Sequence, residues 1–167
     1  MRLAPLGYAA IGLAALTAQA NAQSVVKHPN STPGLILQSV TVKSGASTLY
    51  LSGQLAAPLE PAKNVPTAEL TIADFGDTKT QTASILNKIK GILAEHGYTM
   101  ADVVKLTVFV AGDPKLGGKM DFAGMNEGFK QFFGTADNPG TVARSTVQVA
   151  ALAGPAFLVE IEATAAK

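Results

Sequence analysis

The sequence predicts a single α+β domain in the order ββ-α-β-α-ββ, with two helices packed on one face of a mixed β-sheet. Three features carry this reading. Two β-rich runs, 35–43 and 48–54, flank a four-residue turn containing Gly45; a 3.6-residue apolar period runs up to His96; and a β-branched run, VVKLTVFVA, fills 103–111.

Taken in order, LILQSVTVK and TLYLSGQ read as the two arms of a β-hairpin. Residues 55–76 carry Pro58, Pro61 and Pro66 and read as a long irregular loop. Asp77 or Thr78 then caps a helix whose inner face holds Ile85, Leu86, Ile89, Ile92 and Leu93, while Lys79, Asn87, Lys88 and Glu95 fall on the other side. Gly97 stops it. The strand at 103–111 ends at Gly112-Asp113-Pro114, and a second helix over 118–133 carries Met125, Phe129, Phe132 and Phe133 as its stripe. Two strands follow, 143–152 and 157–165, joined at Gly154-Pro155. Helices of this kind cover one sheet face. Thr41, Leu49, Leu51, Leu106, Val108, Val147 and Val149 read as the other, too apolar for water, so a second copy of the chain is expected to cover it.

The chain has 167 residues, of which 47% are apolar, with 13 Lys and Arg against 12 Asp and Glu. The first 22 residues stand apart: Arg2 is their only charge, an apolar run follows, and they end Ala20-Asn21-Ala22. That order is a secretory signal peptide cleaved after Ala22, and an exported, periplasmic protein is expected. The apolar run is short for a bilayer span and holds Pro5, Gly7 and Gly12; no later run approaches that length, so no membrane contact is expected after cleavage. The expected organisation is a signal peptide at 1–22, a flexible polar lead-in at 23–33 and the folded domain at 34–167.

Without Arg2, 11 Lys and one Arg face 12 acids, a formal charge of zero. A nucleic-acid partner is not expected, because phosphate binding calls for a basic excess or stripe. The absence of Cys excludes disulfides, thiol nucleophiles and thiolate metal sites. His28 and His96 lie 68 residues apart with no carboxylate at ligand spacing, and no phosphate-binding glycine motif is present, so neither metal nor cofactor is expected.

Arg144 is the sole arginine after residue 22, in a chain that otherwise uses lysine. A planar guanidinium suits a carboxylate gripped by two parallel hydrogen bonds, which a lysine cannot supply. On the last strand, alternation puts Glu160 and Glu162 on one face, opposite Val159, Ile161 and Ala163. Either acid could hold a water if it faced a subunit cleft containing Arg144.

Five segments, Leu51-Ser52-Gly53-Gln54, DVVKLTVFV from Asp102, MNEGFKQFF from Met125, ARSTV from Ala143 and VEIEA from Val159, together resemble the Rid family of reactive-intermediate deaminases, also called YjgF-type proteins. The likeness spans 34–165. It implies a chorismate-mutase-like fold and a homotrimer with clefts between subunits. It further implies that Arg144 binds the carboxylate of a 2-imino or 2-enamino acid, that Glu160 positions the attacking water, and that ammonia and a 2-keto acid result. Backbone N–H groups of Gly53 and Thr146 and the side chains of Ser52 and Asn126 are implied to shape the pocket, without cofactor or metal. The chain departs from the family in three places. Gly34-Leu35-Ile36 stands where Gly-Pro-Tyr is common, so Ile36 replaces an aromatic wall; the loop at 57–77 is longer; and Thr146 replaces a cysteine.

The export signal separates this chain from imines made in the cytoplasm, so an exported amino-acid oxidase or dehydrogenase is the expected source. A second reading is a non-catalytic carboxylate-binding or chaperone-like trimer, favoured by Ile36 and by export. An endoribonuclease fits poorly: zero net charge, one arginine and no histidine pair leave little to hold or cleave RNA.

Overall fold

A computed structural model describes residues 24–60, 66 and 69–167; the signal-peptide segment and Pro61 of the long loop lie outside the described residues. In chain order the elements are β1 (Val25–His28), β2 (Ser39–Val42), β3 (Thr48–Leu55), α1 (Ile72–Phe75), α2 (Thr78–Glu95), β4 (Val103–Ala111), α3 (Phe122–Phe129), β5 (Ala143–Val149) and β6 (Val159–Ala166). Four strands form one sheet in the order β3-β6-β4-β5, with β4 and β5 parallel and the other neighbours antiparallel. The helices pack on one face of it, giving the mixed-sheet α+β architecture expected from the sequence.

The entry to the fold differs from expectation. Val25–His28, placed by the sequence in a flexible lead-in, is a strand, and β2 pairs with it rather than with β3. Gly45 (φ +88°) makes the turn before β3, but β3 takes β6 as its ladder partner. The run expected as strand over 35–43 is extended only at Ser39–Val42. Within the proline-rich loop, Ile72–Phe75 forms one helical turn that buries Phe75. The second helix is shorter than expected, Phe122–Phe129, because Gly117 and Gly118 adopt positive φ and Pro114–Leu116 forms a separate 3-10 turn.

Helix α2 is built as the periodicity requires. Asp77 is its N-cap, accepting from Thr80 N at 2.8 Å, and hydrogen bonds from Thr80 hold that carboxyl below its ordinary pKa. Ile85, Leu86, Ile89 and Leu93 are fully buried against the sheet, at about 1.5–3 kcal/mol of transfer free energy per side chain. Gln81 is buried among them with its amide satisfied: Nε2 donates to Gly76 O and Ala156 O, and Oε1 accepts from Leu158 N at 2.8 Å. It therefore fixes the chain two residues before Glu160. Helix α3 lies close to α2 because Gly128 has no side chain; a Cβ there would sit 2.7 Å from Thr82 Cβ and 2.8 Å from the Lys79 carbonyl oxygen.

The open sheet face is more polar than the sequence suggested. Leu51, Leu106 and Val108 are buried on the helix side, Leu49 packs against the same core, and Thr41 belongs to the β1-β2 ribbon. Register keeps Val147 and Val149 on the open face as expected, and sets Tyr50, Lys105, Thr107, Phe109, Ser145, Glu160, Glu162 and Thr164 beside them. Among the large apolar residues expected there, Val147 is the exposed one, at 45%.

Candidate functional site

Arg144 lies on β5, an edge strand, opposite Leu106, so its side chain rises on the helix-covered face toward α3. Residues of α3 at helical spacing receive it. Its Cζ is 4.4 Å from the centroid of Phe129 and 6.0 Å from that of Phe122; Nη2 donates to Asn126 Oδ1 at 2.7 Å and Nη1 to Met125 Sδ at 3.6 Å. Phe129 is in turn fixed by stacking on Phe133, with centroids 4.7 Å apart. The guanidinium is half-buried, and this desolvation lowers its pKa from the ordinary arginine value. It has no carboxylate partner among the described residues. A desolvated cation held by one amide, one thioether and an aromatic face is an incomplete electrostatic arrangement, and a carboxylate would complete it.

Thr146 follows two residues along β5, on the same face. Its Oγ1 is shielded from solvent and has no hydrogen-bond partner. Ile36 lies where the chain runs beside β5: Thr141 Oγ1 donates to Leu35 O, and Leu37 N donates to Val142 O at 2.9 Å. The chain thus brings Arg144, Asn126 and Thr146 together, with Ile36 near the beginning of the same strand.

A second cluster forms at the other side of the sheet. Ladder register shifts between Leu51 and Gln54, so Ser52 and Gly53 share the place opposite Glu162 in a β-bulge. Glu160, on the adjacent strand, folds its carboxylate over Gly53: a Cβ at residue 53 would overlap Oε1 and lie 2.8 Å from Cδ. Only glycine leaves room for this contact. Glu160 pairs in register with Phe109 and Arg144 with Leu106, which face opposite sides of the sheet, and β4 separates their strands. One chain therefore holds two separate clusters, on opposite faces of the sheet and near opposite edges. Glu162 faces the open side too, lining a depression of about 280 Å³ with Tyr50, Ser52, Lys105, Thr107 and Thr164.

Periodicity places Met125 and Phe129 in the core stripe and gives no role to Phe122. The signal was the spacing Phe122, Met125, Asn126, Phe129, one helix face containing a single polar residue. Elsewhere, His28 Nε2 contacts Thr41 Oγ1 at 2.9 Å and His96 is the C-cap of α2, so the two histidines occupy separate elements. No group of three or more His, Asp or Glu side chains among the described residues could hold a metal ion.

A helix-backed mixed sheet, with an arginine at one edge that has no carboxylate partner among the described residues and a carboxylate over a glycine bulge near the other, defines a class of small α+β proteins. The chain belongs to the Rid, or YjgF-type, family: the family model described as Endoribonuclease L-PSP matches residues 37–167. A RutC family protein of Pyrococcus horikoshii is 37% identical over 129 residues, covering 77% of this chain and 86% of the relative. Escherichia coli TdcF, named provisionally a reactive intermediate deaminase, is 34% identical over 126 residues, covering 74% and 90%. Among solved structures, the Rid protein YyfB of Yersinia pestis superposes with a TM-score of 0.63 at 28% identity, covering 86% of this chain and 99% of that one. Escherichia coli TdcF with bound serine gives 0.53 at 31% identity, covering 84% and 94%.

Proposed function

We propose that this protein is a hydrolytic deaminase of 2-imino and 2-enamino acids, and that Arg144 grips the substrate carboxylate. The observation that carries the reading is the half-buried guanidinium, oriented by Asn126 and lacking any carboxylate partner among the described residues. The Escherichia coli relative named for deaminase activity supports the reaction class.

In the proposed reaction, water held by Glu160 attacks C2 of the iminium while Glu160 takes its proton. Glu160 returns that proton to the amine nitrogen of the tetrahedral aminol, and the C2–N bond breaks. The hydroxyl proton passes by way of Glu160 to the departing ammonia, so that iminium and water give the 2-keto acid and ammonium. Imine hydrolysis has a low intrinsic barrier, so positioning and one general base supply most of what the step requires. No cofactor or metal enters the proposal.

Arg144 and Glu160 of one chain lie on opposite faces, so the proposed cleft forms between copies: Arg144, Asn126 and Thr146 from one, Ser52, Gly53 and Glu160 from the next. A cyclic homotrimer closes every such cleft identically. Along β5, the alternation that turns Val142 O outward to Leu37 N puts the Thr146 N–H on the same free edge, available to the substrate. The Ile36 position near the beginning of this strand replaces the aromatic wall with an aliphatic one. The proposed location is outside the cytoplasm, by way of residues 1–22, where an exported amino-acid oxidase or dehydrogenase supplies the imine.

The test is the rate at which a 2-imino acid, generated in situ, disappears with the chain from residue 23 onward and with its Arg144 variants. Absence of acceleration across a range of imino acids, with a keto acid still bound, replaces the deaminase with the non-catalytic carboxylate binder. A second variant reads the other half-site. Gly53→Ala displaces only the flexible end of Glu160, so its melting temperature stays within about 3 °C of wild type while imine turnover falls about 100-fold. Full turnover in Gly53→Ala removes Glu160 from the mechanism.

A further inference from the structure

Phe122 is the first residue of α3, set by the N-cap Asp121, whose Oδ1 accepts from Gly124 N at 2.8 Å. Its ring leaves 45% of the residue exposed although the guanidinium carbon of Arg144 is 6.0 Å from its centroid. Phe129 and Met125, the other apolar groups against Arg144, are buried. Phe122 is thus the apolar surface beside the carboxylate grip that a ligand can still cover. Leu35, 38% exposed and held against Thr141 three residues before Arg144, adds a second apolar group near the same strand.

A 2-imino acid docked by its carboxylate carries its side chain on the adjacent carbon, within a few ångströms of the guanidinium. From this geometry we infer that the site selects acids with a large apolar side chain, branched aliphatic or aromatic, and that Phe122 is the residue that selects them. The inference rests on the reading of Arg144 as the carboxylate grip and adds the substrate class. Covering an aromatic ring of this exposure yields discrimination of about tenfold against a methyl side chain. A small polar side chain would leave Phe122 in water and gain nothing from it.

Binding of the product acids separates this inference from the deaminase reading. Calorimetric titration compares pyruvate with 4-methyl-2-oxopentanoate and phenylpyruvate on wild type, Phe122→Leu and Phe122→Ala. The expected result is a Kd about tenfold lower for the two large acids on wild type, a preference largely kept by Phe122→Leu, and a ratio near one for Phe122→Ala. Equal affinity on wild type, tighter pyruvate, or a preference that survives Phe122→Ala overturns the inference, the last pointing to a second copy of the chain over Phe122. Preferential binding of the large acids without any imine hydrolysis upholds the inference and overturns the deaminase reading. No binding of any acid overturns both.

Discussion

Arg144→Ala lowers kcat/KM for a 2-imino acid by about 100-fold or more, and Arg144→Lys recovers no more than about a tenth of the wild-type value. A charge-assisted hydrogen bond contributes about 1.5–3 kcal/mol, and a guanidinium presents two in parallel to a carboxylate. Lysine keeps the charge, but its ammonium is compact and strongly hydrated and offers no fork. It also loses the guanidinium contact over the Phe129 ring, whose centroid is 4.4 Å from Cζ. Steady-state kinetics on an imine generated in situ measures both variants; near-normal turnover by Arg144→Lys refutes the grip. Stability moves the other way. A desolvated cation without an anionic partner costs the fold free energy, so Arg144→Met, which keeps apolar contact with Phe129, melts at the wild-type temperature or above it. Loss of function with retained or increased stability is the signature of a group kept for a ligand.

The parts of the fold legible in the sequence are those decided by local periodicity. Strand β4 occupies Val103–Ala111 as the β-branched run predicts, and α2 begins after Asp77 because the capping residue and the apolar face agree on its register. The parts misread are decided by which distant segment competes for a ladder. Gly45 and two flanking β-rich runs are good local evidence for a hairpin, yet β2 pairs with Val25–His28 and β3 with the C-terminal strand. Val25 and Val26 are too short an apolar run to announce a strand before Pro29, and their partner is visible only once the chain is folded.

The site shows the same division. Composition singles out Arg144, and alternation alone puts Glu160 on its face. That the two lie on opposite faces follows from the register of β4 against both neighbours, which no local pattern encodes. Gln81 reads as a polar residue early in a helix, whereas its buried amide bridges Gly76, Ala156 and Leu158 and so sets where β6 begins. The bulge at Ser52 and Gly53 was hidden because it needs Glu160 above it to explain the glycine.

Two inactive variants mixed together regain activity if the cleft takes its halves from different subunits. Arg144→Ala lacks the proposed carboxylate grip and Glu160→Gln the proposed base, so on that reading each alone has no complete cleft. Each subunit of a cyclic trimer gives its Arg144 side to one cleft and its Glu160 side to another. After co-refolding in equal amounts, a cleft has one chance in two of an intact Arg144 and independently one in two of an intact Glu160. About a quarter of all clefts are then whole, and turnover returns to about a quarter of wild type per chain. Mixing the folded proteins without exchange gives none of this recovery. The outcome discriminates because β3 and β5 are the two edges of the sheet, so neither half-site can reach the other within one chain without breaking the ladder on β4. Failure of the co-refolded mixture to recover, with trimers confirmed by light scattering, places the two residues in separate sites and leaves Arg144 a binding group without its base.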